Sequence, residues 1–158
     1  MKVFKKISLI VIMLVVAFAV TGCGSKNIEG SLEDIMTKLY AGIPENQRPM
    51  MLMNTEVNEE NVEYFLGTKD IEYEEALASE PGIGSIAHSV VLVRVKDGAN
   101  VEAIEEKIEN SINPRKWVCV GVEKDDVIVE SEGNLIALIM IEDEKTREKI
   151  EESFDKLK

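Results

Sequence analysis

The chain reads as an α+β domain: a mostly antiparallel sheet with helices packed on one face, in an order that is partly ferredoxin-like. Strand-like and helix-like segments are interspersed along it. Two pairs of strand-like segments are joined by tight turns, at Pro81-Gly82-Ile83-Gly84 and at Glu132-Gly133-Asn134. Between these pairs lies one amphipathic helical stretch. Short turns join antiparallel neighbours, and an amphipathic helix must lay its apolar stripe on a sheet.

The elements follow in order. Ser31 caps a helix over residues 32–41, whose Leu32, Ile35, Met36 and Leu39 share one face, and Gly42 stands at the expected C-cap. Residues 44–54 hold two prolines and the run Met50-Met51-Leu52-Met53, an irregular or short extended connection. Asn58 precedes a short helix over 59–66 that Gly67 closes, with acids in its first turn where the helix dipole favours them. Residues 71–79 are ambiguous. Ile71, Tyr73 and Leu77 alternate as in a strand, Glu-Glu-Ala-Leu-Ala favours helix, and the turn that follows decides for a strand.

The strongest strand is 86–95, rich in β-branched residues and ended by Asp97-Gly98. Asn100 caps a helix over 101–112, with Val101, Ile104, Ile108 and Ile112 opposite Glu102, Glu105, Glu106 and Glu109. Asn113-Pro114 stops it. Residues 117–122 read as a buried strand carrying Cys119, and 127–131 as another. Residues 135–141 are apolar almost throughout and therefore central. A last helix over 144–157 points Ile150, Phe154 and Leu157 inward.

In front of this domain stands an export signal. Residues 1–6 carry three lysines and no acid, and residues 7–20 are apolar except for Ser8. That apolar run is too short for comfortable membrane spanning, and the small-residue ending Val20-Thr21-Gly22-Cys23 that follows resembles the lipobox of bacterial lipoproteins, whose cysteine takes a lipid and becomes the new amino terminus. The organisation expected is a signal peptide over 1–22, a lipid-bearing Cys23 with its tether over 23–30, and a single domain over 31–158. Without the signal, 136 residues remain, enough for one domain that buries roughly two-thirds of its unfolded surface. Fifteen basic residues then face 30 acids, a balance near −15 that argues against nucleic acid and against adhesion to anionic headgroups. Attachment to a membrane would rest on acyl chains, at about 0.8 kcal/mol per buried methylene.

With Cys23 acylated, Cys119 has no intramolecular partner, and its expected place is an inert core thiol. His88 is the single histidine. It reads as a sheet residue: Ser85 and Ser89 are near in sequence, yet strand neighbours point to opposite faces and no nucleophile elbow surrounds them. One histidine also leaves no histidine-rich zinc site. Asp125-Asp126 and Glu142-Asp143-Glu144 lack the spacing of a calcium loop and read as solvated acidic turns. Carboxylates paired for glycoside hydrolysis have no sequence signature to locate them. Gly82-Ile83-Gly84 is too short for a phosphate loop. The methionine run reads as a loop packed over the core, in preference to an adaptable binding surface.

The whole mature chain resembles one family, small lipoproteins of Gram-positive bacteria catalogued as domain of unknown function 4358. The resemblance rests on Val20-Thr21-Gly22-Cys23, Leu32-Glu33-Asp34-Ile35, and the segment from Asn58 to Tyr64. It rests also on Val93-Arg94-Val95-Lys96-Asp97-Gly98 and on the hairpin from Ile128 to Leu135. Asn113-Pro114-Arg115-Lys116 departs from it, standing where a longer helical, tyrosine-bearing stretch is expected. The resemblance implies fold and lipid anchoring at Cys23, and no activity.

The expected protein is a non-enzymatic binding module on the extracytoplasmic face of the cell membrane, without cofactor or metal. Its partners would be the membrane through its lipid and a protein or cell-envelope ligand. The rivals are a ligand- or ion-binding lipoprotein serving a transporter, and a cell-wall hydrolase.

Overall fold

The computed structural model describes residues 27–157, so the signal residues 1–22 and Cys23 lie outside the described residues. The order is α1 (Leu32–Leu39), a 3-10 turn (Glu45–Gln47), β1 (Leu52–Glu56), α2 (Val62–Leu66), β2 (Tyr73–Pro81) and β3 (His88–Val95). Then come α3 (Val101–Ser111), a second 3-10 turn (Lys124–Asp126), β4 (Val127–Glu132), β5 (Leu135–Ile141) and α4 (Glu144–Asp155). One five-stranded sheet has the order β1-β2-β3-β5-β4, with every neighbouring pair antiparallel. The α+β class and the antiparallel sheet are as the sequence predicts.

The ferredoxin-like portion is the run from β3 to β5. Strands β3 and β4 flank β5 and both oppose it, so they run parallel to each other with α3 as their connection, a split β-α-β unit.

The helices do not share one face. Val91, Val93, Val95, Ile136, Leu138 and Met140 pack against α2 and α3, while Val90, Leu92, Leu135, Ala137, Ile139 and Ile141 pack against α1 and α4. The reason is in β3 and β5, in which every residue is buried. A strand apolar on both alternating sets of positions needs a cover on each side, whatever the direction of its neighbours. Single-face packing follows from the antiparallel habit alone and fails on that ground.

Caps set the helix starts. Ser31 Oγ accepts from the Asp34 amide at 3.1 Å and Asn100 Oδ1 from the Ala103 amide at 3.1 Å, while Asp143 Oδ1 does the same for Thr146 at 2.9 Å. Helix α1 stops at Leu39 with Tyr40 as its C-cap, before Gly42 is reached. Gly67 closes α2 at φ +76°, and a Cβ there would run into the backbone of Ser111 and Ile112. Gly67→Ala is therefore expected to destabilise by at least ~2 kcal/mol, from left-handed strain and displacement of α3 together. A urea titration showing an unchanged midpoint would refute this.

Residues 117–122 are not a strand. Trp117 and Val122 are buried, but between them the chain curls: Cys119 has φ +62° and Val122 N–H donates to the Pro114 carbonyl at 2.9 Å. A Cβ on Gly121 would lie 2.8 Å from that same carbonyl, so only glycine lets the two segments close up. Cys119 is consequently exposed, not a core thiol. The β-branched composition suggested a strand, but Asn113-Pro114 and Gly121 impose a loop with two anchors.

The amino-terminal segment is fixed at one end of the sheet. Arg94, near the end of β3, donates to the carbonyls of Ile28 (2.5 Å) and Gly30 (2.6 Å) and to Glu75 Oε1 (2.8 Å). The Ile28 amide donates to Asn134 Oδ1 at 3.1 Å. Residues 28–30, read as the last part of a tether, are thus bound to the domain. This end is called the tether end below, and the opposite one, with Pro81, His88 and Ile141, the far end.

Candidate functional site

The buried polar residues of the sheet strands, apart from Arg94, gather at the far end: Ser79 on β2, and His88 and Ser89 on β3. Alternation sends them to different faces. Ser79 and His88 lie on the side of α1 and α4, and Ser89 and Glu80 on the side of α2 and α3.

On the first side, His88 Nε2 and Tyr40 Oη are 2.7 Å apart, with ring centres 5.9 Å apart and planes tilted by 33°. His88 is 2% exposed. Burial holds its imidazole down to about 4, against an opposing pull from Asp143. Burial likewise raises the Tyr40 phenol above its ordinary range, with Ser79 and Arg48 acting in the opposite direction and Glu80 adding to the rise. Both groups are neutral near pH 7. The hydroxyl of Ser79 is buried beside Tyr40 without a hydrogen bond of good geometry. Arg48 is spent on structure, donating to the carbonyls of Ile43 and Tyr40 at 2.9 and 2.8 Å. An open groove of about 520 Å³ borders His88, lined also by Arg48, Ile141, Asp143 and Lys149 among others.

The arrangement makes no nucleophile–histidine pair. Ser89 faces the other side, where Lys116 Nζ stands 3.4 Å from its Oγ, and Ser85 is exposed in the turn. His88 is a sheet residue, as its sequence context predicts.

On the second side, Lys116 forms an ion pair with Glu80, and the two side chains are 4% and 13% exposed. The ammonium sits 4.4 Å from the ring centre of Tyr64, 5.1 Å from Phe65 and 5.3 Å from Trp117. Glu80 Oε2 also accepts from Tyr64 Oη–H at 3.1 Å. Burial lowers the Lys116 pKa and Glu80 works against that. Burial and Glu80 together push Tyr64 up to about 12. No sequence signal marked this cluster, because its members are spread from residue 64 to residue 117 and meet only through the loop after α3.

Around this cluster the surface is apolar. Among the described residues, the exposed large apolar side chains are Met50, Met51, Met53, Tyr64 and Val118, with Met50 at 71% and Val118 at 67%. The Cε methyls of Met51 and Met53 lie over Gly82, and Val118 lies over Gly84 with its amide donating to the Gly84 carbonyl at 2.8 Å. Met53 is the cross-strand partner of Glu80, which Tyr64 contacts. These residues form one patch along β1 and the turn after β2. The methionine run therefore does not pack over the core. Met51 has φ +57°, which turns the chain outward, and only Leu52 of the four reaches the apolar layer.

The acidic segments have structural partners. Asp126 Oδ1 accepts from Arg147 at 2.8 Å, and Asp143 caps α4. The glutamates of α3 lie on its solvent side. Among the described residues, no group of three His, Cys, Asp or Glu side chains could hold a metal ion. Among the same residues, no helix is long and apolar enough to cross a membrane.

No family model, no curated protein and no solved structure matches this chain.

Proposed function

We propose that the chain is a lipid-anchored, extracytoplasmic accessory lipoprotein, a non-enzymatic module that binds a protein partner through the far end of its sheet. One observation carries the reading: the exposed apolar patch stands at the opposite end of the sheet from the pinned residues 28–30. Large exposed apolar patches are characteristic of interaction surfaces, and methionine suits an adaptable one. Eight residues of β3 at about 3.3 Å each separate the two ends by roughly 25 Å. An acyl chain on Cys23 would then hold the tether end to the bilayer and present the patch away from it. The lipobox and the resemblance to the family of small lipoproteins support the anchor.

Two variants test the reading. Cys23→Ala is expected to leave the chain unprocessed or released into the soluble fraction; lipid-labelled, membrane-retained Cys23→Ala protein would contradict the anchor. The double variant Met51→Ser with Val118→Ser is expected to lose an in-cell crosslink that the native chain makes to a partner. An unchanged crosslink would contradict the patch.

The groove beside His88 favours a second reading, a small-ligand receptor serving a transporter. Ligand-dependent thermal stabilisation that fails in a groove variant would select it.

A further inference from the structure

The two edges of the sheet differ. Strand β4 is half-buried along its whole length and α3 packs beside it. Strand β1 is bare: of Leu52, Met53, Asn54, Thr55 and Glu56, only the first is even partly buried. Natural edges are usually blunted by proline, lysine, a bulge or a covering element. Strand β1 contains no proline and no lysine, and it pairs with β2 in unbroken register.

The bonds at either end of β1 fix which backbone groups are left over. Gly82 N–H donates to the Met51 carbonyl at 2.9 Å, and Val57 N–H donates to the Ala76 carbonyl at 2.9 Å. Antiparallel alternation then directs the odd-numbered residues inward to β2 and turns the amides and carbonyls of Leu52 and Asn54 outward. The Glu56 carbonyl accepts from Asn61 Nδ2 at 3.0 Å, which closes the edge at that point. On the α1 side of the edge is a hollow of about 280 Å³, lined among others by Met36, Tyr40, Arg48, Leu52, Asn54 and the buried hydroxyl of Ser79. On the other side run Thr55, Met53 and the apolar patch.

The surrounding charge specifies the occupant. Between Glu45 and Glu63 stand Glu45, Glu56, Glu59, Glu60 and Glu63, the last paired with Lys69 at 3.7 Å, and Arg48 is the one basic residue of that stretch. Arg48 is already bound to two carbonyls. A second copy of this acidic chain is the wrong partner for such an edge.

We infer that β1 is a docking edge that receives an extended segment of a partner protein, in which apolar side chains alternate with Lys or Arg. Main-chain bonds to Leu52 and Asn54 give the register. The segment's apolar residues enter the hollow, and its cations, on the opposite face, point to the side of α2, where Glu59, Glu60 and Glu63 lie at and before the start of that helix. The inference rests on the binding reading above and names the mode of that binding.

The test uses the full chain in detergent micelles and a blocked decapeptide of alternating Val and Lys as probe. Hydrogen exchange is followed by mass spectrometry. The peptide is expected to slow exchange across residues 52–56, and raising salt from 50 to 500 mM is expected to weaken it at least tenfold. Asn54→Pro removes an outward amide that the fold does not use, and it is expected to reduce affinity at least tenfold without altering the melting temperature. Should proline disturb the strand, the triple variant Glu56→Lys, Glu59→Lys, Glu60→Lys leaves the backbone groups intact and is expected to lose tenfold as well. No slowing at 1 mM peptide, equal binding of a Val-Glu decapeptide, or undiminished binding by both variants overturns the inference. Slowing of 52–56 that depends on protein concentration alone assigns the edge to a second copy and also overturns it. If Asn54→Pro keeps the in-cell crosslink that the Met51 and Val118 variant loses, the patch reading survives and strand addition falls.

Discussion

Truncating Lys116 to alanine is expected to lower the unfolding free energy by about 3–5 kcal/mol, the largest effect of any single substitution at the far end of the sheet. Its ammonium is enclosed by Tyr64, Phe65 and Trp117, and it is the ion-pair partner of a Glu80 carboxylate that is itself largely out of water. Deleting the cation leaves that carboxylate facing aromatic rings with Tyr64 as its remaining donor. The partner it loses is worth more than the pair is worth as a pair, since assembling two ions in a low-dielectric site already costs desolvation of both. A double variant, Glu80→Leu with Lys116→Met, is accordingly expected to recover most of the loss. Chemical denaturation of the three proteins distinguishes the cases: if the double variant is as unstable as the single one, the loss belongs to packing and not to the orphaned charge.

The second large effect is a dependence of stability on pH. His88 has an ordinary value of 6.5 and is held down to about 4 in the folded chain. As pH falls through 6.5 the unfolded chain takes up a proton that the folded chain refuses, so stability declines from there to about pH 4 and the loss is complete below it. The total is roughly 3 kcal/mol. Among the groups near His88 are Tyr40, the C-cap of α1, which is neutral throughout, and Asp143 at the start of α4, whose pull toward the charged form is outweighed by burial. Asp70 and Asp143 have lowered values and add a separate loss, which begins only as the pH nears their ordinary 3.8. Urea midpoints between pH 7 and 4.5 therefore isolate the histidine. His88→Gln is expected to flatten that interval, and a variant with the native slope would show that the proton goes elsewhere.

Much of the fold was legible because its signals are local. The caps at Ser31 and Asn100 and the spans of β3, β5, α3 and α4 follow from short-range pattern and turn chemistry, and each is found within a few residues of its expected bounds. What was not legible depends on distant groups. The two-faced cover could have been suspected from the unbroken apolar run in β5, but the antiparallel habit pointed the other way. The loop around Cys119 has the composition of a strand, and only its contact with Pro114 and Gly84 shows why it curls. The candidate site was the least legible. His88 was marked by being alone, but Tyr40 is 48 residues from it, and Lys116 finds Glu80 across two intervening elements. The methionine run stands out in the sequence, but its hydrophobic composition favours packing over the core and does not reveal that Met51 adopts a left-handed backbone.

The clamp that Arg94 places on Ile28 and Gly30 has a mechanical consequence. A pull on the amino-terminal end, directed along the strands, reaches the guanidinium before it reaches α1, and the guanidinium belongs to β3, the middle strand of the sheet. That strand is hydrogen-bonded along its length to β2 on one side and β5 on the other. Force applied there loads two ladders in shear, with many bonds sharing the tension, instead of peeling them open one at a time. Tension entering at Ile28 would leave the far end of the sheet undisturbed.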